Sequence, residues 1–243
     1  YTYVTTKFIV HAGLAAVYVD DGTTRTDITG TAPTGAIDDR WTGGTLNGIF
    51  VMNNGIDVPM YWVGTIATNL ATLPGWDANW RAESLRPFKN SLVAMNITKS
   101  GTKYPHMVKV SDLANPGAVP ASWDSTDPTI DAVEQDQEGS DPLVDGLQLG
   151  DAFILYKERS CIAMTFIGAP YLYRYQRLPG AFGMLARGCA VDTPLGHVVL
   201  SAGDVVLNAG NGPVSICNGA VRKYIFNNIN STYYKRAFVT SNP

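Results

Sequence analysis

Four stretches of this chain repeat one grammar: a short apolar run, a polar or glycine-containing turn, and a second apolar run. They occupy residues 46–62 (LNGIFVMNNGIDVPMYW), 85–110 (LRPFKNSLVAMNITKSGTKYPHMVKV), 147–168 (LQLGDAFILYKERSCIAMTFIG) and 198–221 (VVLSAGDVVLNAGNGPVSICNGAV). A lone hairpin cannot bury its apolar face, so each unit needs neighbours. Recurrence at roughly 40–60 residue intervals predicts an all-β repeat architecture, with a β-propeller-like body of successive small sheets favoured.

Composition agrees with many turns and few long helices: the 243 residues include 24 Gly and 14 Pro, residues that punctuate turns. The apolar share of 45% is enough for a core. The reading is one propeller-type domain over 1–243. Strand pairs are expected at 3–10 with 14–19, at 49–52 with 58–63 around Asn53-Asn54-Gly55, and at 91–97 with 106–110. The pair 153–157 with 161–167 and the runs 171–176, 197–202, 204–209 and 213–218 follow. Residues 64–84 read as a connection, and 111–146 as a long irregular acidic insertion. One short helix is expected near 220–229. The start at Tyr1 and the stop in AFVTSNP read as a segment of a longer protein, incomplete at both ends. No apolar run is long enough to span a bilayer, and no signal peptide is visible.

Net charge is −3, which does not suit a protein built to grip nucleic acid. The charge is unevenly placed. Residues 111–151 carry ten acidic and no basic side chains, whereas 152–243 carry nine basic and three acidic. A solvated loop explains the acidic block, as does a surface that meets a basic partner or repels DNA.

Motifs that carry chemistry fail one by one. His11, His106 and His197 sit among apolar neighbours with no acidic partner close in sequence, and read as core or surface histidines. There is no Gly-x-Ser-x-Gly, no close His or Cys pair, and no glycine-rich nucleotide loop. The stretches 20–27 (DDGTTRTD) and 136–145 (DQEGSDPLVD) lack the ligand order of a Ca²⁺ loop. Cys161, Cys189 and Cys217 are odd in number and read as small buried hydrophobes in a reducing compartment. Tyr171, Tyr173 and Tyr175 at period two read as one face of a strand. No catalytic, cofactor-binding or metal-ligating residue is assigned.

Five segments taken in order carry a resemblance: 41–62 (WTGGTLNGIFVMNNGIDVPMYW), 73–97 (LPGWDANWRAESLRPFKNSLVAMNI), 104–124 (YPHMVKVSDLANPGAVPASWD), 144–168 (VDGLQLGDAFILYKERSCIAMTFIG) and 203–230 (GDVVLNAGNGPVSICNGAVRKYIFNNIN). Together they resemble the tail nozzle proteins of short-tailed bacteriophages, also called tail tubular protein B or packaged-DNA-stabilisation proteins. The likeness covers most of 41–230 and is weaker over 1–40. It implies a propeller body decorated by further β domains, in a virion tail made in the bacterial host's cytoplasm. It also implies a sixfold ring of identical subunits, bound to an adaptor of the head-to-tail connector above and to tail fibres or a tip below. Genomic double-stranded DNA would be held in, and released through, the lumen without sequence recognition. The family supplies no catalytic site.

A conduit of this kind should not hold its cargo tightly, since every phosphate contact strengthens binding. Part of 124–145 is therefore expected to face the lumen or a neighbouring subunit, through Asp124, Asp127, Asp131, Glu134, Asp136, Glu138, Asp141 and Asp145. The alternative is a propeller that binds or cleaves cell-surface glycans, with Arg159, Arg174, Arg177 and Arg187 as contacts for an acidic sugar. An intracellular scaffold propeller fits less well, because its Gly-His and Trp-Asp signatures are missing.

Overall fold

A computed structural model describes residues 7–241. The chain is all-β with one short helix, and its strands form successive open antiparallel sheets in chain order. The first sheet has three strands, β1 (Ile9–Ala12), β2 (Val17–Asp20) and β3 (Arg25–Asp27). The second has β4 (Thr42–Leu46), β5 (Ile49–Asn53), β6 (Met60–Trp62) and β7 (Ala71–Thr72). The third runs β8 (Trp80–Phe88), β9 (Ser91–Lys99), β10 (Thr102–Val110) and β11 (Val133–Asp136). The fourth has β12 (Leu143–Leu149), β13 (Ala152–Lys157), β14 (Cys161–Gly168) and β15 (Leu172–Arg177). The fifth has β16 (Ala190–Thr193), β17 (Gly196–Leu200), β18 (Val205–Asn208) and β19 (Pro213–Ser215), and is followed by α1 (Gly219–Asn228). Each sheet pairs consecutive strands only, which is the meander order of a propeller blade.

The chain forms two compact units, Tyr1–Asp136 with the first three sheets and Gln137–Pro243 with the last two. In the first unit, Val17, Val19 and Ile28 pack with Met52, Met60 and Trp62 between sheets one and two. A second cluster joins sheets two and three through Leu46, Val51, Leu85, Leu92 and Ala94, and is capped by Trp76 and Trp123. Polar stitches cross the same gap. Leu85 N donates to Thr42 Oγ1 at 3.1 Å, and Asn53 Nδ2 donates to the Ala82 carbonyl at 2.9 Å. In the second unit, Ile154, Tyr156, Cys161, Phe182, Met184, Val199 and Val206 form the core between sheets four and five.

Several boundaries differ from the sequence reading, and the reasons are physical. The expected first strand at 3–10 starts on residues outside the described range, and the described strand runs Ile9–Ala12. In the stretch 64–84, read as a connection, β7 lies inside and β8 begins. The sequence WRAESLRPF looks too charged for a central strand, but β8 is an edge, where Arg81, Glu83 and Arg86 reach water while Ala82, Leu85 and Phe88 turn inward. The edge also tolerates Pro87. At 111–146, residues 111–132 and 137–142 are irregular, but two strands break the stretch. Val133–Asp136 pairs with β10 in the register Lys109↔Glu134, and Leu143 already begins the fourth sheet. Tyr171 precedes β15 and is exposed, so of the tyrosine stripe only Tyr173 is buried, edge-on to Phe166.

Candidate functional site

The acidic stretch lies against buried lysines. Lys109 occupies the middle of an apolar strand end, HMVKV, and its side chain is 2% exposed. A lysine so placed needs a counter-charge, and register supplies it. Glu134 stands directly opposite on β11, with Oε2 3.0 Å from Lys109 Nζ and Oε1 2.5 Å from Lys99 Nζ. Trp80, opposite Lys99 on β8, lies under both ammonium groups, which sit 4.8 and 4.9 Å from its ring centre. Trp80, Trp76 and Trp123 follow one another edge to face, with ring centres 6.2 and 4.8 Å apart. These groups line an open cleft of about 360 Å³, rimmed by Asp77, Asp124, Ser125 and Thr126.

Electrostatics in this cleft favours ionised pairs. Burial opposes the charge on Glu134, but hydrogen bonds and attraction from Lys99 and Lys109 prevail and hold its carboxyl below the usual glutamate value. Burial lowers the Lys109 ammonium, with Glu134 working against that shift. The cluster is self-satisfied: one carboxylate bridges two cations over an indole. A carboxylate pinned in this way is a poor proton acceptor.

The second unit repeats the arrangement. Lys157 is fully buried, and its Nζ meets Asp141 Oδ1 at 3.2 Å and the Glu138 carbonyl at 2.7 Å. Asp141 Oδ2 also accepts from Arg159 N and Ser160 Oγ, and these contacts outweigh burial to lower its carboxyl. Asp145 is fully buried and accepts from Gly146 N and Gly188 N.

The other candidates serve the irregular segment or face solvent. Asp124 accepts from Thr126 N and Oγ1, and Asp127 from Thr129 N and Oγ1, which lowers both carboxyls. Asp131 N donates to Asp112 Oδ1. Asp136 closes β11 and is exposed, as is Glu138. The fold therefore brings Glu134 into the lysine cleft and Asp141 onto Lys157, and leaves Asp124, Asp136 and Glu138 at the surface. Among the four arginines of the acidic-sugar reading, Arg187 is buried and the other three are exposed.

Sequence reasoning missed a buried polar chain on His197. Its Nε2 faces the Gln148 carbonyl at 2.8 Å and so must donate. Nδ1 is then the acceptor for the Tyr156 hydroxyl at 2.9 Å, and that oxygen accepts from Asn208 Nδ2 at 2.9 Å. Burial lowers the imidazole, against the Gln148 bond and the Asp192 charge. A polar residue repeated at strand ends (His197, Asn208) was the available signal. All three cysteines are free, and Cys161 and Cys189 are buried with Sγ near the Phe182 and Ala237 carbonyls.

No family model matches the chain, and no curated protein does. Among solved structures, the chain is similar to YCF48 from Cyanidioschyzon merolae at 7% identity, with 83% of this chain and 82% of that one covered and a TM-score of 0.30. A likeness at that level leaves the functional question to the residues. Among the described residues, no helix is long and apolar enough to cross a membrane.

Proposed function

We propose that this chain is part of a structural virion protein, the tail nozzle of a short-tailed phage, which retains packaged DNA and conducts it during ejection. The ordered resemblance of segments across 41–230 carries the reading. The use of the side chains supports it: Glu134 pairs with Lys99 and Lys109 within the third sheet, Lys157 pairs with Asp141 on an adjoining loop, and Tyr156 meets His197 between sheets four and five. Such groups stiffen a wall rather than present a reactive face. In this reading identical subunits close a sixfold ring between an adaptor and the tail fibres or tip, and DNA passes without sequence recognition. The exposed acids Asp124, Asp136 and Glu138 keep phosphate contacts few.

Electron microscopy of the full-length protein tests this. Sixfold rings with an open lumen are expected. A stable monomer that binds or hydrolyses glycans would replace the reading with the glycan-directed propeller.

A further inference from the structure

The C-terminal part of the second unit presents an element that folds without being covered. None of the residues of α1 is buried. An isolated helix of this length is marginal in water, because helices this short take their stability from packing. Its support is light: the cap at Asn218, whose side chain accepts from Val221 N at 2.9 Å, the half-burial of Ile225 and Phe226, and the reach of Arg222 to Asp204. Yet α1 carries apolar groups outward. Val221 and Tyr224, three residues apart and so on one face, are exposed, Tyr224 by 74%. The preceding edge strand β19 exposes Val214 by 61%, and Ile216 and Tyr233 flank the same segment in sequence, also exposed. Exposed apolar side chains gathered in consecutive elements are what an interaction site offers a partner.

The charge of the segment that follows is positive. After Asp204 the chain has no acidic residue, while Arg222, Lys223, Lys235 and Arg236 follow. Arg222 reaches Asp204 at 3.4 Å, and Lys223 and Lys235 are exposed. The complement exists in the same chain. Residues 111–136 carry no basic side chain, and Asp124 and Asp136 are exposed there, the latter on the outer strand of the third sheet.

We propose that α1 and β19 dock on a second copy of this chain, head to tail, against the acidic segment 124–136, through its exposed Asp124 and Asp136. Two basic faces would repel one another in an isologous pair, so complementarity selects a heterologous contact, which either closes into a ring or runs on as a filament. This deepens the reading above and rests on it for closure into a ring; the contact itself follows from the two faces.

The test uses the full-length protein and three variants: Lys223→Glu/Lys235→Glu, Asp124→Lys/Asp136→Lys, and Tyr224→Ala. Subunit association is followed by sedimentation and by electron microscopy. Each charge-reversed variant alone should associate at least tenfold more weakly than wild type, with unchanged circular dichroism. The weakening should shrink as salt rises. A variant combining all four charge reversals should recover association, because both faces have changed sign. Tyr224→Ala should weaken association without changing its salt dependence. Wild-type rings that persist in both charge-reversed variants would overturn the docking inference and leave the ring reading standing. A wild-type chain that stays monomeric at high concentration would overturn both. If rings persist but Lys223→Glu/Lys235→Glu loses affinity for a 30-base-pair DNA duplex, the basic face belongs to nucleic acid and the inference fails.

Discussion

Glu134 is the residue on which the third sheet's charge balance turns. Replacing it with Gln leaves Lys109 buried opposite an amide, and the expected loss is about 1–3 kcal/mol, below the full cost of an orphaned buried ion because Glu134 is 25% exposed. Denaturant titration measures it. The pH dependence has a definite sign. The folded carboxyl lies below its unfolded value of about 4.3. Its contribution is therefore complete above that pH and is lost as pH falls through the lower folded value. Glu134→Gln should flatten that acid limb. His197 acts in a different window. Its folded imidazole lies below the unfolded value of about 6.5, so the unfolded chain takes up a proton first and stability declines as pH drops below about 6.5. Tyr156→Phe should cost about 1–3 kcal/mol, because it leaves both His197 Nδ1 and Asn208 Nδ2 without their partner. Neither site was fully legible in the sequence. Lysine among valines at 106–110 signalled a need for a counter-charge, but its partner is 25 residues away. The partner of His197 is 41 residues away. Only strand register brings such groups together.

At the scale of elements, the strands with apolar runs and tight turns were readable, as β5, β9, β13 and β14 show. The helix was placed to within one residue at each end. Edge strands with an alternating pattern, such as β15, were readable too, but the polar β7 and β11 were not. A strand such as VEQD at 133–136 has one buried neighbour and little apolar content, so its pairing is decided by Lys109 rather than by its own pattern. Gly43 in β4 shows the same dependence on context. Its φ is +148°, and a Cβ there would collide with the Val51 carbonyl across the ladder. Gly43→Ala is expected to destabilise the first unit by more than about 2 kcal/mol, read as a fall in its unfolding midpoint. For α1, hydrogen exchange gives the check. Its amides should exchange readily in free subunits and slow markedly where α1 is covered by a second copy, because a helix with no fully buried residue has little packing to hold it.

For the whole molecule, the recurring hairpin grammar was enough to foresee a row of small antiparallel sheets. Where one compact unit ends was not foreseeable, since the boundary at Asp136 falls between a cryptic edge strand and a polar turn. Each unit has its own buried cluster, and changes in separate clusters should act independently. Differential scanning calorimetry should resolve two transitions, with Glu134→Gln lowering one and Tyr156→Phe the other. A single transition that both variants shift equally would show that the units unfold together.

The pairing of Lys109 with Glu134 also sets a clock on synthesis. At ribosomal speeds of about 5–20 residues per second, the carboxylate emerges about 1–5 s after the amine that it must neutralise. Throughout that interval the inward-facing end of β10, residues 107–110, carries a cation without its carboxylate, and β11 is not yet there to complete the third sheet.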